Sequence, residues 1–232
     1  MDKDRPVAPS APCRPSARAL AAVLALPLAL AACVTGGPDA PSAARPAGLS
    51  PADAQRYGAA RDGGFSIPAV DPQDMKPRNA RQLVSDPTGQ APGTLVVDPR
   101  NRFLYLVQEN GKALRYGVGV GRAGMEFSGS ARVGDKREWP RWRPTDDMIA
   151  REPRKYRPWA GGMAGGEENP LGARALYLYK DGKDTLYRIH GTNEPWSIGE
   201  AVSSGCIRMM NQDIIDLYGR VPEGAKVVVL PI

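Results

Sequence analysis

The chain has 232 residues, 42% of them hydrophobic and 24% charged, with a net charge of +6. This is an ordinary globular composition and fits one main domain plus appendages. The 23 prolines, 26 glycines and 6% aromatics favour turn-rich β structure over a helical bundle, and the lack of a basic patch interleaved with aromatics argues against a nucleic-acid partner.

Residues 1–18 are irregular. An apolar run, ALAAVLALPLALAA, follows at 19–32 and is broken by Pro27. A membrane-spanning helix needs ~20 apolar residues, whereas a secretory signal needs only ~7–15. The run ends in Leu30-Ala31-Ala32-Cys33, small residues before a cysteine, which resembles a bacterial lipobox. Residues 1–32 are therefore expected to be a signal peptide, with Cys33 lipidated as the new N-terminus and holding the protein to a membrane by its acyl chains. The plainer reading is an ordinary signal peptide cut after Ala32, or a short buried helix. Val34 after the cysteine, in place of aspartate, suggests the outer membrane of a Gram-negative periplasm. Without residues 1–32, which hold four basic and two acidic side chains, the net charge is +4. Residues 33–48, rich in Pro, Ala, Gly and Ser, read as a flexible tether.

Residues 49–91 form an extension too polar to build its own core, expected to wrap the main domain or stay loose. Ser50-Pro51 opens a short helix reaching to about Ala60, with serine as N-cap and proline in the first turn. The compact domain spans 92–232. TLVVD (94–98), RFLYLVQ (102–108) and KALRYGVGVG (112–121) read as strands, with Pro99-Arg100-Asn101 and Glu109-Asn110-Gly111 as turns. The glycine run 117–121 fits neither G-x-x-x-x-G-K-[ST] nor G-x-G-x-x-G, so it is no phosphate loop. Residues 122–172 read as a long excursion. It carries Trp139 and Trp142, a short helix capped by Thr145, and a glycine-rich loop at 161–172. A segment of this length suits a lid or binding loop. Equally, the two tryptophans could simply cover an edge.

Strands at 174–180 and 185–191 flank the turn Asp181-Gly182-Lys183. Alternation sets Tyr187 and Ile189 on one face, with Leu186, Arg188 and His190 on the other. A helix from about Gln212 to Tyr218, capped by Asn211, precedes a last strand, 227–230.

The chain has one histidine, His190, and three cysteines, of which Cys13 and Cys33 belong to the targeting region. Cys206 is then the only thiol of the mature chain, 16 positions after His190. A thiolate is a strong nucleophile and an imidazole the usual group that generates it. The plainer readings are a buried inert cysteine and a core histidine. The small, polar flank Ser203-Ser204-Gly205 suits an accessible loop instead. One cysteine and one histidine fall short of a zinc site, which needs three or four ligands, and no cofactor is expected.

The stretch HGTNEPWSIGEAVSSGCIRMMN (190–211) resembles the active-site block of the L,D-transpeptidase (YkuD-type) catalytic domain, Gram-negative branch. PGTLVVDPRNRFLYLV, RYGVGVGR, WPRWRPTDDMIARE, NPLGARALYLY and VPEGAKVVVL extend the likeness, in order, from Pro92 to Ile232. The resemblance implies a mainly β, sandwich-like domain with a few short helices and a lid-like insertion, acting on peptidoglycan stem peptides. It implies that Cys206 attacks the diaminopimelate carbonyl and that His190 serves as base and then acid. Backbone N–H groups at Ser204, Gly205 and Cys206 would hold the oxyanion. Arg208 would bind a substrate carboxylate or brace the loop. Ser203 matches the motif's hydroxyl residue, and the Gly191 carbonyl would fix the imidazole tautomer. Trp139 and Trp142 join Arg208, Gly191 and Ser203 as candidate substrate contacts. Many members have histidine where this chain has Ser204, which leaves His190 with the whole proton-transfer task. The acceptor would be a second stem peptide, a lysine of a wall-anchored lipoprotein, or water. A silent lipoprotein that only binds peptidoglycan is the alternative outside enzymes.

Overall fold

The computed structural model describes residues 49–122 and 127–232. The signal segment, the lipobox at Cys33 and the tether lie outside the described residues. Among the described residues no helix is long and apolar enough to cross a membrane.

Among the described residues the protein is mainly β with four short α-helices. In chain order the elements are α1 (Pro51–Arg56), β1 (Ala60–Asp62), β2 (Phe65–Ile67), β3 (Gln82–Ser85), β4 (Leu95–Asp98), β5 (Phe103–Val107) and β6 (Lys112–Gly117). Then come β7 (Val120–Gly121), β8 (Gly129–Glu138), α2 (Asp146–Arg151), α3 (Pro153–Tyr156), β9 (Arg174–Lys180) and β10 (Lys183–His190). β11 (Ala201–Ser203), β12 (Ile207–Arg208), α4 (Asn211–Arg220) and β13 (Lys226–Val229) complete the chain.

Nine strands make one sheet in the order β12-β10-β9-β8-β13-β4-β5-β6-β3. Its pairs are antiparallel except β10 with β12 and β13 with β4. The expected hairpin turns form for a local reason. Asn110 and Gly111 have φ of 58° and 64°, and Asp181 and Gly182 have 50° and 73°, the paired positive values that match strand twist. The sheet curls so that its ends approach. Gly119, just past β6, exchanges two backbone hydrogen bonds with Arg208 of β12, at 2.9 and 2.8 Å. The enclosed core takes alternate residues from both ends: Leu95 and Val97, Leu104 and Leu106, Leu176 and Leu178, Ile189 and Ile207. Ile214 and Leu217 of α4 seal it. Each such side chain, fully buried, contributes ~1.5–3 kcal/mol. The intervening residues Val96, Phe103, Tyr105 and Val107 pack on the outer face.

Residues 49–91 lie against this body. Ser50 caps α1 by accepting from the Asp53 amide at 3.1 Å, and the helix stops at Arg56, not at Ala60. β3 forms the sheet edge on β6. The Tyr57 hydroxyl, buried, faces both Asp213 carboxylate oxygens at 3.0 Å and accepts from the Arg81 amide at 2.7 Å. Two polar anchors thus hold the extension to α4, with Arg81 also paired to Asp216.

The segment 122–172 is not a single excursion. It contains β8, which lies between β13 and β9. GSARVGDKRE hides this strand because only Ala131 and Val133 are buried along it. The true insertion runs from 139 to 173. Thr145 caps α2, accepting from the Met148 amide at 3.2 Å. The glycine-rich loop is held by Asn169, whose amide donates to Pro140 and Ala164 carbonyls at 3.0 and 2.9 Å.

Candidate active site

The site is built where β10 ends and β12 begins. These strands run parallel with Ile189 opposite Ile207 and His190 opposite Arg208. Pairing of β10 with β12 therefore brings His190 beside the residues that follow Cys206, although 16 positions separate them in sequence. A groove of about 470 Å³ covers the junction. It is lined by Cys206, His190, Leu186 and Arg208 and by Trp142, Arg151 and Lys155 of the insertion. A larger depression, about 600 Å³, lies over β8 and the Asp181-Gly182 turn, and neither Cys206 nor His190 lines it.

His190 is 5% exposed. Its Nδ1 lies 2.6 Å from the carbonyl oxygen of Gly191. A carbonyl only accepts, so Nδ1 carries the hydrogen and Nε2 keeps its lone pair. Burial, then the Arg208 charge, with a smaller push from Arg188, bring its pKa down to about 3, against an opposing pull from the Gly191 carbonyl. The ring is neutral at physiological pH.

Cys206 is the free cysteine among the described residues and is half-buried. Its thiol faces the Leu186 carbonyl at 3.9 Å. Burial raises the thiol pKa, and the Arg188 amide and the charges of Arg188 and Arg208 oppose the rise. The pair thus rests as thiol and neutral imidazole. Nucleophile and base become ionic only as the proton moves.

The turn before the thiol is braced from within. Ser203 Oγ donates to the Cys206 carbonyl at 2.6 Å and accepts from the Gly205 amide at 3.1 Å. Gly205 has φ of 123°, a conformation that favours glycine. Its amide is engaged by Ser203, and Ser203 is buried and holds the turn. Ser204 is exposed in the groove. Arg208 donates to Glu194 at 2.6 Å, so the guanidinium is bound to the loop after His190.

Asn211 is not the cap of α4. Met210 occupies that position, and Asn211 is the first helical residue. Its Oδ1 accepts from the amides of Ala173 and Thr192 at 3.0 and 3.3 Å, and its Nδ2 donates to the Thr192 carbonyl at 2.9 Å. The side chain clamps the strand start of β9 to the turn that follows His190. Gly191 must lack a side chain here, since a Cβ would meet Asn211 Oδ1 at 2.2 Å.

The two tryptophans separate. Trp142 lines the groove and bridges to Met163. Trp139 stacks on Phe65 at 4.5 Å and donates to Asp62 at 2.8 Å, away from the thiol. Sequence reasoning missed Glu194 and Leu186. Glu194 is one of two acids in the block 190–211, and Glu200 is the nearer to Arg208 in sequence, so only the fold, which gives Glu200 to Lys76, selects Glu194 as the partner. Leu186 gave no signal, because its place depends on a bulge.

Known proteins resemble this chain over the same region. The L,D-transpeptidase catalytic domain family (YkuD) matches residues 92–229. "Probable L,D-transpeptidase YbiS" of Escherichia coli K12 is 32% identical over 137 residues, covering 58% of this chain and 43% of that protein. "Probable L,D-transpeptidase ErfK/SrfK" of the same organism is 32% identical over 140 residues, covering 60% and 44%. The match thus spans less than half the length of these relatives. A crystal structure described as a "Probable carnitine operon oxidoreductase caia" from Brucella melitensis is 55% identical, covering 65% of this chain and 92% of that one, with a TM-score of 0.45. With the family matching more than half of its length, the chain belongs to the L,D-transpeptidase catalytic domain (YkuD) family.

Proposed function

We propose that the protein is a peptidoglycan L,D-transpeptidase that uses Cys206 as its nucleophile. The observation that carries this reading is the His190 ring, neutral, capped on Nδ1 by Gly191 and opening on the same groove as the only free thiol among the described residues.

In the first step Nε2 of His190 takes the thiol proton as sulfur attacks the carbonyl of a stem-peptide diaminopimelate. The carbonyl electrons move onto oxygen, and the Ser204 and Cys206 amides are the oxyanion donors, since the Gly205 amide is occupied. Collapse of the intermediate breaks the C–N bond, the imidazolium returns its proton to the departing D-Ala amine, and a thioester remains. An incoming amine then attacks the thioester, gives its proton to His190 and forms the new amide. The thiolate leaves and is reprotonated. Trp142, Arg151 and Lys155 form the wall along which the anionic peptide lies. Arg208 acts by bracing the loop through Glu194.

The lipobox-like Leu30-Ala31-Ala32-Cys33 supports a periplasmic protein anchored to the outer membrane by lipid at Cys33, with peptidoglycan peptides as its partners. The glycine run 117–121 supports no dinucleotide chemistry, because Gly117 is packed on Asn79 and Gly119 on Ser197.

Incubation of the full chain with tetrapeptide muropeptides tests the proposal. The expected product is a dimer joined between two diaminopimelates, with a thioester trapped on Cys206. Trimmed monomers alone would mean that water is the acceptor. The absence of both cross-linked product and thioester would overturn the assignment.

A further inference from the structure

Strand β10 is irregular beside the nucleophile. Its pairing with β9 slips between Asp184 and Arg188. Within the slip Leu186 has φ of 64° and a side chain 64% exposed on the groove. A left-handed leucine persists only where its surroundings impose it, and bulges of this kind cluster next to active sites.

The surroundings here are specific. Asp184 Oδ1 accepts from the Leu186 amide at 2.8 Å. The same carboxylate receives two guanidinium hydrogen bonds from Arg188, both at 2.7 Å. Arg188 also lies over the Tyr177 ring, 4.1 Å from its centroid. Thr185 Oγ1 donates to the Leu178 carbonyl at 2.6 Å and accepts from the Tyr187 amide at 3.2 Å. Burial pushes the Asp184 carboxyl up, but hydrogen bonds from Arg188 and the Leu186 amide outweigh it and hold it below the usual range.

What this bulge delivers is backbone at the sulfur. The Leu186 carbonyl accepts from the Cys206 thiol at 3.9 Å. The His190 carbonyl accepts from Met209 of the β12 side at 2.8 Å. Two residues earlier, Arg188 turns its own amide to that same side, toward Cys206.

We propose that the Asp184–Arg188 pair is the positioning device of the nucleophile: by fixing the bulge it sets the Leu186 carbonyl and the Arg188 amide against the Cys206 sulfur. The carbonyl holds the thiol hydrogen at rest. The amide supports the sulfur as its proton passes to His190. The inference rests on Cys206 being reactive and not on which peptide it attacks.

The test measures alkylation of Cys206 by iodoacetamide across pH in the full chain, followed on the Cys206 peptide by mass spectrometry. Asp184→Asn is expected to slow the reaction at pH 7 by about tenfold or more and to change the shape of its pH profile, because misplacing a reacting group by an ångström is that costly. Arg188→Lys, which keeps one bond to Asp184, is expected to fall between. Adding Leu186→Gly to Asp184→Asn is expected to restore the rate, since glycine adopts positive φ without support. If Asp184→Asn lowers the melting temperature while alkylation stays within about twofold of the parent at every pH, the proposal is overturned. Failure of the glycine to rescue a slowed Asp184→Asn variant also overturns it. A chain that makes no cross-links but shows these alkylation effects would refute the transpeptidase reading and keep this one.

Discussion

His190 Nδ1 lies 2.6 Å from the carbonyl oxygen of Gly191, the next residue in the chain, and this contact leaves Nε2 as the free base. A nucleophilic Cys206, as proposed, would open the strained amide of a carbapenem, and because the ring stays neutral down to about pH 3 that acylation is expected to show no limb near 6.5, the ordinary histidine value. Stopped-flow acylation rates between pH 5 and 8 check this, and a clear inflection at 6.5 in the parent would contradict it. His190→Gln is expected to lower the rate by about 10²–10⁴-fold at neutral pH.

The same buried ring makes folding stability depend on pH. The folded pKa, about 3, is below the unfolded value of 6.5. Between these values the unfolded chain binds the extra proton, so stability is fully present above 6.5 and is lost as pH falls toward 3. Each pH unit in the window costs about 1.4 kcal/mol for one proton. Urea midpoints at pH 7 and pH 4.5 should therefore fall further for the parent than for His190→Gln. Equal shifts in the two proteins would refute the neutral ring.

Much of this was legible in the sequence because the residues that decide it act locally. Asn110-Gly111 and Asp181-Gly182 dictate their turns, and the unbroken apolar run FLYLV marks β5 as a strand, although only the fold shows which of its faces is the inner one. Cys206 and His190 stood out because the chain holds so few of either type. β8 was hidden because solvent takes most of its side chains, and the two buried ones, Ala131 and Val133, are too short an alternation to mark a ten-residue strand. Asn211 looked like a cap because asparagine before an apolar run usually is one; its partners, Ala173 and Thr192, are assembled only by the tertiary fold. Strand alternation likewise cannot announce the two extra residues that β10 carries between Asp184 and Arg188, and so it missed the Leu186 carbonyl that meets the thiol.

Arg208 and Glu194 are expected to act as one unit. Their bridge is 2.6 Å long, with the arginine side chain 18% exposed and the glutamate 38%. Partly exposed pairs of this kind couple by about 0.5–1 kcal/mol. A double-mutant cycle of Arg208→Met and Glu194→Gln, read as carbapenem acylation and as urea stability, should give a coupling of that size in both. If Arg208→Met impaired acylation while Glu194→Gln had no effect, the arginine would be contacting the substrate itself.

Asn211 joins two segments that would otherwise leave buried amides unpaired. Ala173 is fully buried and Thr192 is 4% exposed, and both give their N–H to Asn211 Oδ1. Asn211→Ala removes the acceptor and leaves both donors inside, at about 1–3 kcal/mol per group. A loss of roughly 2–6 kcal/mol is expected in denaturant unfolding. The turn it holds carries the Gly191 carbonyl, so the His190 tautomer loosens with it and acylation should fall as well. Gly191→Ala attacks the same joint from the other side, because its Cβ would lie 2.2 Å from Asn211 Oδ1. In the Asn211→Ala background that clash is gone, and Gly191→Ala should cost less than in the parent by about 1 kcal/mol or more. Strict additivity of the two substitutions would mean that Asn211 does not clamp the histidine turn.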